Sequence, residues 1–110
     1  MTLPYTVCAT VTAISAIVSL GFSVAATRPA SGDARTLALY ASARSLSLVL
    51  ISALTFLVGA KAWLEAMALC MITVQACDAV IGIVITDRTK TFGPAATALL
   101  NLASLFWLVL

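Results

Sequence analysis

The sequence of 110 residues contains no histidine. That removes the usual haem ligand, the commonest zinc ligand and the ordinary proton shuttle. Charge is scarce as well, at 9% of residues, where soluble domains carry about 25%. The six basic residues are scattered and leave a net charge of only +2. No basic stripe or arm exists to hold nucleic acid. The three cysteines, Cys8, Cys70 and Cys77, lie in apolar runs without C-x-x-C spacing. Cys70 and Cys77 would stand about 10 Å apart on one helix, too far for a disulfide. They read as small packing residues. No Lys or Arg precedes the first apolar run. Ser23-Val24-Ala25-Ala26 therefore reads as part of an uncleaved helix rather than a signal-peptide cleavage site.

What the chain has instead is hydrocarbon: 63% hydrophobic residues and a mean hydropathy of +1.15. A bilayer-spanning helix needs about 20 mostly apolar residues, so this length holds four spans with short turns and leaves no room for a soluble domain. The expected architecture is an all-α, four-helix transmembrane bundle with antiparallel neighbours, one integral membrane domain over 1–110. Its helices are expected at about 3–26, 36–58, 62–86 and 92–110. The breaks between them are a Pro/Gly/charge cluster from Arg28 to Arg35, Gly59-Ala60-Lys61, and Asp87-Arg88-Thr89-Lys90. Pro94 fits the first turn of the fourth helix, where its missing N–H would be unpaired anyway. Turns one and three hold Arg28, Arg35, Arg88 and Lys90, whereas the second holds Lys61 alone. The positive-inside rule then places both termini outside.

Every helix also carries a polar stripe in steps of three and four. The first has Thr12, Ser15, Ser19 and Ser23; the second Tyr40, Arg44 and Ser47. The third has Gln75, Asp78 and Gly82, and the fourth Thr97, Asn101 and Ser104. Lipid does not solvate such groups, so the stripes are expected to face one another. Counting outward from the turns puts Arg44 and Asp78 within about 5 Å of depth. The same count brings Ser19 and Asn101 to nearly that level. A layer of Arg44, Asp78, Asn101, Gln75, Tyr40 and Ser19 follows, with Arg44 as counter-ion to Asp78. Glu65, one turn from Lys61 and near Trp63, reads as an interfacial anchor or a Lys61–Glu65 pair.

Three functions fit such a layer. It can fix helix register as a buried ion pair. It can line a pocket for a lipid-like or quinone-like ligand. It can serve a proton-coupled carrier, which a fixed cation beside Asp78 opposes. Small multidrug-resistance transporters have the same length and helix number, but keep their coupling carboxylate in the first helix, where this chain has no acid. Catalysis finds little support without a histidine base, paired acids or a metal set. Small residues on the third helix (Ala66, Cys70, Cys77) and the second (Ala41, Ser45, Ser52) permit close packing, hence a homo-oligomer or an accessory subunit of a membrane complex.

Arg44 within Tyr40-Ala41-Ser42-Ala43-Arg44, and Asp78 within Val74-Gln75-Ala76-Cys77-Asp78-Ala79-Val80-Ile81-Gly82, resemble the small four-helix membrane proteins of the DoxX-like group. In that group the second helix carries an Arg and the third an Asp before small residues. The resemblance implies a four-helix fold with an Arg–Asp membrane pair. Some members are linked to quinone or thiol redox systems, but this chain has no histidine and no C-x-x-C. The resemblance supplies no reaction.

Overall fold

The computed structural model describes residues 2–110, apart from the side chain of Lys90. Lys90, counted above among the basic residues of the third turn, thus has its side chain outside the described residues. Four helices form among these residues: α1 (Leu3–Thr27), α2 (Gly32–Val58), α3 (Lys61–Val84) and α4 (Arg88–Val109). Each is long and apolar enough to cross a membrane, the fourth over Thr91–Val109. This is the architecture of a multi-pass membrane protein.

Local chemistry explains the boundaries. Thr2 caps α1 by accepting from the Tyr5 N–H at 3.3 Å. The first turn is tighter than the Arg28–Arg35 cluster suggested. Gly32 takes a positive φ of 60°, and Gly32 to Arg35 already belong to α2. Arg35 reaches back instead, donating from Nη1 to the Thr27 carbonyl at 3.2 Å and satisfying one open end of α1. Gly59, in the left-handed region at φ 68°, ends α2. Ala60 immediately starts α3.

The third turn also departs from expectation. α3 stops at Val84 because the next residues close a Schellman motif. The Asp87 N–H bonds the Gly82 carbonyl at 2.9 Å, and the Thr86 N–H bonds the Ile83 carbonyl at 3.1 Å. Thr86 sits at the left-handed position, φ 60°. The Asp87 carbonyl then accepts from the Thr91 N–H and hydroxyl, at 3.1 and 2.7 Å, and starts α4. Pro94 consequently lies inside α4 rather than in its first turn.

The helices pack as a skewed rhombus. α1 lies along α2 and also touches α4 and α3, and α3 lies along α4. α2 engages α3 least, and among the described residues α2 and α4 do not meet. The interior is partly apolar, with Tyr5, Cys8, Leu64, Ala68 and Leu105 clustered toward the Lys61 end. Ala16, Met67 and Met71 form a second cluster, which Leu48 and Val49 of α2 cover. Yet Thr12, Ser15, Ser45, Ser52, Gln75 and Asn101 are buried too, while Leu37, Leu57, Ile83, Val84, Leu99 and Leu100 point outward. Polar inside with aliphatic outside inverts a water-soluble protein and matches a lipid solvent.

Candidate functional site

The polar stripe of α1 is the spine of the interior, and each helix meets it separately. The Ser19 hydroxyl lies 3.0 Å from that of Ser45 on α2. Gln75 on α3 donates from Nε2 to the Ser15 carbonyl at 3.0 Å. Nearer the Lys61 end, Tyr5 donates its phenol to the Thr55 carbonyl at 2.8 Å.

Thr12 meets α4. Its Oγ1 lies 2.8 Å from the Cys8 carbonyl and 3.0 Å from Asn101 Oδ1. One hydroxyl proton cannot serve both acceptors. Asn101 Nδ2, meanwhile, is buried without a partner among the described residues. Turning the amide over lets Nδ2 donate to Thr12 Oγ1, and leaves the Thr12 proton for Cys8. That orientation is the chemically consistent one.

Arg44 and Asp78 do come together. Nη2 of Arg44 and Oδ1 of Asp78 are 3.5 Å apart. The contact is made across the seam where α2 and α3 are least engaged. Side chains lean toward the N-terminus of their helix. In antiparallel neighbours this tilts Arg44 and Asp78 toward each other, closing the axial offset of about 5 Å. The pair is not buried, however: the side chains keep 49% and 23% of their exposure. The expected closed layer is instead an open contact, because α2 stands away from α3 and leaves a gap.

That gap is a cleft of about 190 Å³. Its polar floor is Ser19, Arg44, Gln75 and Asp78. Its walls toward the Arg28 end are mostly apolar, with Phe22, Ala26, Ile81, Ile85 and Pro94 alongside Ser23, and Ala38 and Ala41 line it from α2. The lining toward the Arg28 end is therefore more apolar than the lining around the pair.

Two residues assigned to the layer lie elsewhere. Tyr40 is 72% exposed and does not line the cleft. Asn101 belongs to the Thr12 contact. The turn between α3 and α4 is centred on Thr86 rather than two or three residues later. Asp78 is eight residues before Thr86 and Asn101 fifteen after it, so their depths differ by about 10 Å. The small residues divide as well: Ala41, Ser45 and Ser52 turn inward, whereas Ala66, Cys70 and Cys77 face out. Lys61 and Glu65 do pair, at 3.8 Å.

Phe22, Ile81, Ile85 and Pro94 were not read from the sequence as site residues, since apolar residues in an apolar helix carry no signal for one face over another. Ser45 was legible as a step of four from Ala41, but as packing rather than as the partner of Ser19. No family model, curated protein or solved structure matches the chain.

Proposed function

We propose that this protein is a membrane-embedded binding protein that takes a small lipid-like or quinone-like molecule into the cleft between α2 and α3. The observation that carries this reading is the state of the Arg44–Asp78 pair. It is a single contact of 3.5 Å facing an open cleft, at a depth where bilayer rather than water surrounds the chain. A guanidinium has five N–H donors, and Arg44 gives one of them to Asp78. Charges left short of partners at membrane depth mark a place for a ligand.

A register-fixing scaffold accounts less well for the pair, since such a role calls for close geometry and exclusion of solvent. Proton carriage along the interior has less support still. Ser15 and Ser23 each commit their proton to the carbonyl four residues back, at 2.9 Å, which leaves the Ser19, Ser45 and Ser23 hydroxyls as a local cluster, at 3.0 and 3.3 Å, in which Ser23 only accepts. The DoxX-like grouping belongs to this proposal, and its support is the placement of Arg44 on α2 and Asp78 on α3. So does the orientation with the Arg28 and Arg88 turns in the cytoplasm. A second reading, a homo-oligomer or accessory subunit, draws on the outward row of Ala66, Cys70 and Cys77.

Native mass spectrometry of protein purified in mild detergent tests the binding reading. The wild type is expected to retain one amphipathic molecule per chain. Ala41→Phe, which fills the cleft from α2, is expected to abolish retention while the protein stays helical and monodisperse. Equal retention by both proteins counts against the cleft as the site.

A further inference from the structure

The floor of the cleft restricts what its ligand can carry. Arg44 and Asp78 sum to zero charge, and their facing atoms are only 3.5 Å apart. An anion seated on Arg44 therefore also sits against Asp78, and a cation on Asp78 sits against Arg44. Attraction and repulsion nearly cancel, while the full cost of moving a charge out of water remains. A charged head gains nothing here. A bare carbonyl can accept from Arg44, but it offers nothing to the carboxylate oxygens of Asp78. A hydroxyl serves both sides from one atom: its oxygen accepts from the guanidinium and its proton goes to the carboxylate.

The walls decide how such a molecule lies. Phe22, Ile81, Ile85 and Pro94 line the cleft on the Arg28 side of the pair, and the lining reaches Ala26 and Ile85, at the ends of α1 and α3. Asp78 is six residues from Val84, about 9 Å inside. An apolar body thus lies along the walls on the Arg28 side, and the polar end reaches the pair. Gln75 gives one of its two amide N–H groups to the Ser15 carbonyl, and its amide oxygen, like Asp78, accepts from a hydroxyl but not from a bare carbonyl.

On the reading that the cleft holds a ligand, we infer that its ligand is an uncharged hydroxyl-bearing hydrophobe, a phenol or an apolar alcohol, bound hydroxyl-first between Arg44 and Asp78. The chemistry is shared by aromatic and aliphatic alcohols, and the small cleft, about 190 Å³, suits a compact body rather than a two-tailed lipid.

Three probes of similar size separate the possibilities: 4-propylphenol, 4-propylanisole and 4-propylbenzoate. The full chain in detergent is titrated with each, and binding is followed by calorimetry at pH 8. The phenol is expected to bind at least tenfold more tightly than the anisole, which lacks the proton for Asp78, and than the benzoate, which carries charge. In Asp78→Asn the floor becomes net positive, and the order is expected to invert so that the benzoate binds best. Arg44→Lys, a milder change that keeps the charge, is expected to preserve the wild-type order with weaker affinities. If all three bind the wild type equally, or the benzoate binds it best, the hydroxyl assignment is overturned while the cleft remains a binding site. If none binds, the binding reading falls with it.

Discussion

Arg44→Ala is expected to destabilise the bundle more than the double replacement Arg44→Leu with Asp78→Leu. The reason lies in what each change leaves behind. Alanine removes the contact that Asp78 makes at 3.5 Å and strands a carboxylate in an apolar seam. Insertion scales put an uncompensated Asp at a helix centre at about 2.5–3.5 kcal/mol. Asp78 lies six residues from the end of α3, off the centre of the span, so part of that cost is relieved, and a loss of about 2 kcal/mol is expected. The double change leaves no charge behind and fills the seam with apolar volume, which other paired charges tolerate with little loss. Unfolding in mixed detergent micelles, followed by circular dichroism, measures both variants. A single mutant as stable as the double would mean that Asp78 gains nothing from Arg44, and the pair would lose its place in the account. Ligand retention is expected to vanish in both variants, since both remove the Arg44 donors from the floor of the cleft.

The second large effect concerns packing. Leu64 is fully buried, among Tyr5, Cys8, Ala9, Ala68, Leu105 and Leu108. It joins three helices at the Lys61 end. In water, Leu→Ala in a core costs about 2.7–5.0 kcal/mol, the sum of a transfer part and a cavity part. Here the surroundings of the separated helices are lipid, so the transfer part largely disappears and the cavity remains. Leu64→Ala is accordingly expected to cost about 1–3 kcal/mol. Leu57→Ala, on an outward face of α2, is expected to cost about 0.5 kcal/mol or less. The same unfolding assay reads both. Equal losses at the two positions would contradict the assignment of Leu64 to the interior and Leu57 to lipid.

The four helices were legible because membrane spans announce themselves by length and hydropathy, and because Gly59 and the charged turns punctuate them. The meeting of Arg44 with Asp78 was legible for a related reason. Two opposite charges in otherwise apolar neighbouring helices have few other places to go. What the sequence hid came from the third turn and from packing. Thr86, a β-branched residue, occupies a left-handed position that usually falls to glycine. Nothing in Ile85-Thr86-Asp87 advertises it, and the shift of the turn carried Asn101 away from Asp78 and to Thr12. Tyr40 was read inward on helical spacing from Arg44, yet its exposure is 72%, since α2 touches chiefly α1 and leaves much of its circumference outside. The cleft itself was not readable. It arises from how far α2 stands from α3, and that distance depends on the fit of many small side chains at once.

Photo-crosslinking with a diazirine-bearing long-chain alcohol, in vesicles holding the full chain, tests the cleft most directly. Adducts mapped by peptide mass spectrometry are expected on Phe22, Ile81 and Ile85, and Ala41→Phe is expected to remove them. Adducts confined to outward residues such as Leu57, Val84 and Leu100, unchanged in Ala41→Phe, would contradict the account.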